Sequence, residues 1–276
     1  AIKPDCWRLD LNTMVWEQLA DEPASAGGRY LTAGAYDPVG DRFLVLGGRD
    51  GLASPYHADL VSISLSGTAP GEPPREGPGP AAAPRQRGGA VVVANPADNR
   101  LYVWGGREGA KYYDELYECN LTTGAWSVVN VGTPRPSARA FAGWMYDPAN
   151  DRLILTGGVS PAGIRVLDVW SLDLSGAPAW TEWSTTAGPS PRYDHAISYD
   201  AAGDRLYLFG GIDTTTRDDL WVLEAGVWSQ PSVLGPMPGA RSGHGAVFDS
   251  ANSRFVVYLG TNGNTRTGTI FELDVS

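Results

Sequence analysis

One phrase returns five times along the 276 residues and limits what the chain can fold into. The first copy, YDPVGDRFLVLGG at 36–48, joins two apolar stretches through a turn rich in Asp, Pro and Gly, and it ends in two glycines. The other copies are ANPADNRLYVWGG (94–106), YDPANDRLILTGG (146–158), YDAAGDRLYLFGG (199–211) and FDSANSRFVVYLGT (248–261). Their glycines at 47, 105, 157, 210 and 260 are 58, 52, 53 and 50 residues apart. This period is typical of propeller blades, and each copy predicts the two inner strands of one blade.

Each copy continues with the pattern of further strands. A third strand is predicted at DLVSISL (59), ELYECNL (115), DVWSLDL (168), DLWVLEA (219) and TIFELDV (269). Trp126, Trp183 and Trp228 mark a fourth strand, whereas the first copy has a Pro/Gly-rich stretch at 66–84 in that place. No copy has a convincing amphipathic helix, so the sequence predicts an all-β fold.

The glycine pair, the aromatic residue in the third strand and the Trp in the fourth resemble the Kelch repeat, and the resemblance covers essentially the whole chain. It implies a Kelch-type β-propeller formed by a single domain over 1–276. The expected blade units are 29–86, 87–138, 139–191, 192–240 and 241–276, with 1–20 closing the ring. The fifth copy departs from the pattern, because we align Gly260 and Thr261 with the glycine pair.

The two ends of the chain leave the number of blades open. The segment DCWRLDL (5–11) matches DVWSLDL and predicts another third strand, with Trp16 opening a fourth. The chain thus holds five inner strand pairs but six third strands. Five blades closed by this N-terminal half blade leave only one strand unplaced, whereas six blades would lack three strands, so the strand count favours five. The alternative is a six-blade ring whose missing inner pair comes from a removed upstream segment or a partner molecule, which would allow self-association through the incomplete blade.

An arginine recurs seven residues before each Tyr-Asp-like pair. These residues are Arg29, Arg87, Arg139, Arg192 and Arg241. In the Kelch arrangement they would form a ring at the channel mouth, on the usual ligand-binding face of the family. Guanidinium groups bind carboxylates bidentately, so the ring predicts binding of an acidic peptide or an anionic sugar. Structural pairing between blades is the other interpretation, with these acids near the third strands as partners: Asp5, Asp59, Asp114, Asp168 and Asp219.

Two more polar sets repeat. The arginines that follow the inner turn, which we interpret as structural groups that hold the turn, are Arg42, Arg100, Arg152, Arg205 and Arg254. His195 and His244 occupy equivalent positions and are the candidate catalytic residues, although the resemblance to Kelch repeats favours a structural role. With Asp194 they give too few ligands for a metal, so we expect no metal and no cofactor.

The loops after the glycine pairs differ between copies, and specificity is expected there. We select Tyr56, Arg107, Tyr112, Tyr113 and Arg217 as candidate ligand-binding residues, because aromatic and Arg side chains suit a binding surface. Other charged or polar residues of these loops are Arg49, Asp50, His57, Glu108, Lys111, Arg165, Asp213, Asn264 and Arg266.

Composition excludes some functions. The net charge of −10 makes nucleic acid an unlikely partner class, because phosphate binding needs a basic face. Cys6 and Cys119 both lie in apolar strand patterns and are expected to be buried free thiols. No apolar run is long enough for a transmembrane segment, and the sequence does not assign a compartment.

Three functions follow from these patterns. The first is a binding module whose arginine-rich face takes an acidic peptide or an anionic small molecule. The second is an enzyme on anionic sugars, similar to the sialic-acid mutarotases of the Kelch group, with His195 or His244 as general acid–base. The third is a scaffold domain of a larger protein. No catalytic motif is present, which favours binding over catalysis.

Overall fold

The structure is a computed structural model that describes residues 7–19, 28–65, 83–233 and 236–275. Asp5, Cys6 and nearly all of the Pro/Gly-rich stretch lie outside these ranges. The described residues form antiparallel strands and one short 3₁₀ turn, Pro161–Gly163, which confirms the all-β prediction. The chain divides into two compact units, Ala1–Asn130 and Val131–Ser276.

Each of the five sequence copies forms one antiparallel sheet, which we call blades 1 to 5 in chain order. The first strands are Ala33–Asp37, Val91–Asn95, Gly143–Asp147, Ala196–Asp200 and Gly245–Asp249. The second strands are Arg42–Leu46, Arg100–Trp104, Arg152–Thr156, Arg205–Phe209 and Arg254–Tyr258. The third strands are Leu60–Ser64, Leu116–Asn120, Val169–Asp173, Leu220–Glu224 and Ile270–Asp274. Five blades are thereby confirmed.

Blades 2, 3 and 4 also have the fourth strand that the tryptophans predicted. These strands are Trp126–Val129, Ala179–Trp183 and Val227–Ser229. At the N-terminus, Trp7–Asp10 pairs with Val15–Gln18 as a two-stranded sheet, in agreement with the predicted half blade. Two loops contain small hairpins, Arg107–Glu108 with Lys111–Tyr112 and Thr261–Asn262 with Thr265–Arg266.

The turn between the first and second strands has the same geometry in every blade. In blade 1, Asp37 faces Arg42 across the ladder, and its carboxylate accepts hydrogen bonds from the amides of Val39 and Gly40 at 3.0 and 3.1 Å. The residue before each second-strand arginine is left-handed, as in Asp41 with φ 45°. Asp, Asn and Ser at these positions suit the turn because their short side chains bond the local backbone.

Three of the five second-strand arginines hold these turns as predicted. Arg42, Arg152 and Arg254 donate from Nε to the aspartate that begins the turn, at 2.7, 2.9 and 2.8 Å. Arg205 instead binds Glu224 of the third strand at 3.1 Å, and Arg100 binds Glu118 at 2.5 Å. The structural interpretation is correct for this set, although a third-strand glutamate can replace the turn aspartate.

The core lies between successive blades within each unit. Blades 1 and 2 share a cluster that includes Leu44, Val92, Leu101 and Cys119, while blades 3, 4 and 5 share two further clusters. Strands packed on both faces read as continuous apolar runs, such as VVVAN at 91–95. Burial raises the pKa of the Cys119 thiol to about 11, which fits the predicted buried free thiol.

Candidate functional site

The loops that carry the candidate binding residues begin at the glycine pair, and the left-handed backbone of the pair sets the direction in which each loop leaves its blade. Both residues of the pair have positive φ in all five blades. In blade 4 these are Gly210 and Gly211, and a Cβ on Gly210 would lie 2.6 Å from the carbonyl oxygen of Arg241 in blade 5. The amide of Gly211 donates to that same oxygen at 2.9 Å. The pair therefore joins neighbouring blades and starts the loop beside the repeated arginine.

The fifth blade corrects our alignment of this pair. The left-handed positions are Leu259, with φ 60°, and Gly260, with φ 105°. Arg241 contacts the Leu259 carbonyl as Arg192 contacts that of Gly210, eighteen residues onward in both cases. Leu259 and Gly260 therefore occupy the positions of the glycine pair in blade 5. The predicted alignment of Gly260 and Thr261 with the pair was one residue out of register.

In three blades the repeated arginine binds a third-strand aspartate bidentately. Arg29 donates to Asp59 at 2.5 and 2.7 Å, and Arg192 donates to Asp219 at 2.5 and 3.0 Å. Arg139 holds both carboxylate oxygens of Asp168. All three pairs form within one blade, so the prediction of pairing between blades was wrong. The reason is that the arginine side chain runs along its own inner strand and reaches the start of its own third strand.

Blade 2 uses a different partner set. Arg87 is buried, its Nη1 donates to the Gly105 carbonyl at 2.7 Å, and its guanidinium carbon lies 4.3 Å from the ring centre of Tyr113. Glu115, rather than the predicted Asp114, occupies the acidic position, and its charge offsets part of the burial that lowers the pKa of Arg87. Tyr117 lies on the same guanidinium at 5.3 Å.

Blade 5 has no acid at this position. Arg241 donates from Nε to the Gly239 carbonyl and from Nη1 to the Leu259 carbonyl, both at 3.0 Å. The third-strand position holds Thr269. Burial alone lowers the pKa of Arg241, with no acidic side chain offsetting it. The five arginines are therefore not equivalent, and their arrangement as one ring stays a prediction.

The two candidate catalytic histidines fill space between blades. A Cβ on Gly143 of blade 3 would lie 2.6 Å from Nε2 of His195, and His244 packs edge-on against the ring of Phe209 of blade 4 at 5.4 Å. Burial lowers the pKa of His195 to about 3, with Arg192 and His244 adding to the effect, and lowers that of His244 to about 4. Both imidazoles are neutral near pH 7, which supports the packing role over general acid–base catalysis.

Two of the predicted loop aromatics are buried. Tyr113 stacks on Arg87 and donates to Glu108 at 2.9 Å. Tyr56 packs against Gly88, where a Cβ would approach its ring to 2.4 Å. Both rings are buried, and their predicted role in ligand binding stays a prediction.

The other selected loop residues remain partly accessible. Arg107 lies over the ring of Tyr112 at 5.9 Å, and both are half-buried. Arg217 pairs with Asp213, whose carboxylate also accepts from Ser190 at 2.5 Å. The pKa of Asp213 is held well below its usual range by these partners despite its burial. Arg217 is thus already neutralised by its own loop.

Tyrosines that sequence analysis did not select hold two of the loop cations. Arg49 lies between the rings of Tyr30 and Tyr56, at 5.2 and 5.1 Å. Arg165 lies over Tyr193 at 5.8 Å. Tyr30 and Tyr193 each follow a repeated arginine directly, and that shared position was the available signal.

Among the described residues, no group of three or more His, Cys, Asp and Glu side chains is placed to hold a metal ion. In the same ranges there is no helix with the length and apolar character needed to span a bilayer.

Comparison with known proteins relates the chain to one family. The model of the KLHDC2/KLHL20/DRC7 Kelch-repeats domain matches residues 38–226. Host cell factor 1 of Homo sapiens is 30% identical over 225 residues, which covers 71% of this chain and 10% of that protein. The Rab9 effector protein with kelch motifs of Homo sapiens is 27% identical over 180 residues, covering 62% of this chain and 46% of that protein. A solved structure, that of YjhT, matches 98% of this chain and 87% of its own with a TM-score of 0.72 at 15% identity, a likeness of fold.

Proposed function

The chain belongs to the Kelch-repeat family, and on that premise we propose that it binds an acidic segment of a partner protein. Kelch propellers typically bind proteins, and the human relative named as a Rab9 effector supports a protein partner. The chain spans about a tenth of host cell factor 1 and about half of the Rab9 effector.

The observation that carries the proposal is the state of the cations in the glycine-pair loops. Arg49 and Arg165 stack on tyrosine rings, and neither has a carboxylate within salt-bridge distance among the described residues. Nε of Arg49 is buried and has no hydrogen-bond partner in those ranges. A guanidinium held on an aromatic ring keeps its N–H edge oriented for an incoming carboxylate.

An exposed aliphatic side chain accompanies each of these cations. Leu52 is 85% exposed and its carbonyl accepts from Arg49 at 3.1 Å, while Ile164 is 61% exposed and directly precedes Arg165. Arginine and tyrosine are enriched among the energetically important positions of interfaces, and an exposed aliphatic side chain beside them offers apolar area for a partner to bury. The partner segment we propose therefore carries both carboxylates and apolar side chains.

A fluorescence anisotropy titration tests this proposal with a labelled short peptide containing Glu and Leu. A peptide with Gln in place of each Glu is the matched ligand control. We expect the Glu peptide alone to bind, with affinity falling as salt is added. Arg165→Gln should weaken binding by about tenfold, which corresponds to about 1.4 kcal/mol. Arg49→Gln tests the corresponding loop of the other unit by itself.

Arg205→Gln is the matched protein control, because Arg205 lies at the other end of a second strand, in an exposed pair with Glu224. It removes the same charge without touching the loops. Equal binding of both peptides, or equal losses in all three variants, would contradict a specific acidic site in these loops.

A further inference from the structure

Blade 5 differs from blades 3 and 4 at four positions that surround its repeated arginine. Blade 5 has Gly239, Leu259, Thr269 and Phe271 where blade 4 has Ser190, Gly210, Asp219 and Trp221 and blade 3 has Ser137, Gly157, Asp168 and Trp170. The Ser137 and Ser190 hydroxyls accept from Nη2 of their arginines at 3.0 and 3.1 Å. These positions are distant in sequence but meet at one guanidinium. Together they remove from Arg241 the side-chain partners that the equivalent arginines have in blades 3 and 4.

The backbone shows that Thr269 occupies the position of the missing aspartate. The amide of Leu259 donates to the Thr269 carbonyl at 3.3 Å, as Gly210 donates to Asp219 at 3.1 Å and Gly157 to Asp168 at 3.2 Å. Thr269 therefore begins where the aspartate side chains begin in the other blades. Its hydroxyl lies 2.7 Å from that of Thr267, so it already has a partner of its own.

The group that orients the aspartate is also missing. In blade 4 the indole Nε1 of Trp221 donates to Oδ2 of Asp219 at 2.7 Å, and Trp170 does the same for Asp168 at 2.8 Å. Phe271 has no such donor, and its ring centre lies 5.0 Å from the guanidinium carbon of Arg241. It packs against the face of the guanidinium and offers no hydrogen-bonding group to it.

Arg241 is left with an unused donor. The residue is only 3% exposed, and its Nη2 has no hydrogen-bond partner among the described residues. A buried guanidinium without a counter-charge is costly, since desolvation of the ion is not offset. A carboxylate at this edge would restore the arrangement that blades 1, 3 and 4 contain.

This position can be reached from solvent. The side chains of Asp168 and Asp219 are 22% exposed although their arginines are buried, so the carboxylate lies at the surface of its blade. Thr269 is exposed at the same place in blade 5. Leu259 is also exposed beside the site and offers an apolar contact for the stem of an acidic side chain.

We propose that Arg241, Thr269 and Phe271 form an open site for one carboxylate of the acidic partner segment, which takes the position that Asp168 and Asp219 occupy in their own blades. The inference rests on the proposed function and deepens it, because it names the arginine that receives the carboxylate. In blades 1, 3 and 4 the repeated arginine is closed to such a ligand by its own aspartate.

Thr269→Asp is the decisive variant, because it supplies the missing carboxylate from the chain itself. We expect it to raise the melting temperature and to weaken binding of the Glu peptide at least about tenfold. Thr265→Asp is the matched control, since Thr265 is exposed in the same loop and adds the same charge away from Arg241. The control should keep most of the affinity. Equal losses in the two variants would overturn the site, because they would show a general charge effect.

Sodium acetate compared with sodium chloride at equal ionic strength provides a test that does not use the peptide. Acetate should raise the melting temperature of the native chain and of Thr265→Asp, but not of Thr269→Asp. Lack of any acetate-specific shift in the native chain would overturn the site. Peptide binding that requires Arg165 but is unchanged in Thr269→Asp would also overturn it while sustaining the proposed function. An acetate shift without any peptide binding would support the site and contradict the proposed function.

Discussion

Blades 4 and 5 carry the same arginine in two different states. In blade 4, Arg192 is held by Asp219, and Trp221 holds Asp219 in turn. In blade 5, Arg241 keeps its two backbone acceptors but lacks the aspartate, the tryptophan and the serine hydroxyl that Nη2 of Arg192 contacts in blade 4. The arginine therefore has the same backbone contacts in both blades, and the side chains around it decide whether it is a structural or an available group.

Removal of the aspartate from blade 4 should give the largest effect. Asp219→Ala leaves the buried Arg192 without its counter-charge, so we expect a loss of about 3–5 kcal/mol in the free energy of unfolding. Urea denaturation measures this loss. Thr269→Ala makes the corresponding change in blade 5 and should alter stability by less than about 0.5 kcal/mol. Similar losses in the two variants would show that the two arginines are held alike.

Acid should destabilise both blades through their histidines. The folded-state pKa values of His195 and His244, about 3 and about 4, lie below the ordinary value of 6.5. The unfolded chain therefore takes up protons first, and stability falls as pH drops below 6.5. By about pH 5 each histidine should cost about 2 kcal/mol.

Unfolding titrations at several pH values test this dependence. His195→Gln and His244→Gln should each reduce the steepness of the decline between about pH 7 and 5, whatever their effect on stability at neutral pH. A slope that does not change in either buried variant would assign the acid sensitivity to other groups.

The smallest effect concerns the left-handed Leu259. Leu259→Gly restores the residue type that blade 4 has at this position, and the relief of left-handed strain should stabilise the chain by about 1 kcal/mol. Its exposed side chain loses little packing. Thermal unfolding measures the gain, and Asn264→Gly, at a loop position without positive φ, should give none. A loss of stability in Leu259→Gly would mean that the side chain contributes more than the strain costs.

Much of the fold could be predicted because its signals are local. The apolar runs, the Asp-containing turn and the glycine pairs each specify a backbone conformation within a few residues, and their spacing gave the five sheets. The register of the fifth pair could not be predicted, because leucine rarely adopts positive φ and the sequence held a glycine one position later.

The site was harder to predict because it depends on contacts between distant residues. Repeat position identified the arginines, but it did not show that Arg29, Arg139 and Arg192 each bind an acid in their own blade. Burial of Tyr56 and Tyr113 depends on how their loops fold back, which no short pattern specifies. The sequence showed that Thr269 replaces an acidic residue in blade 5. That this leaves Arg241 without a carboxylate partner could be recognised only from the arginine–aspartate contacts of blades 1, 3 and 4.

The joints between neighbouring blades are made by main-chain atoms. Gly48 donates to the carbonyl of Arg87, Gly158 to that of Arg192 and Gly211 to that of Arg241, at 2.9–3.0 Å. These hydrogen bonds need a left-handed backbone but no particular loop sequence. A loop can therefore be replaced or lengthened without altering the joint beneath it. Each blade can therefore accept a new recognition loop while its hydrogen bond to the next blade is kept.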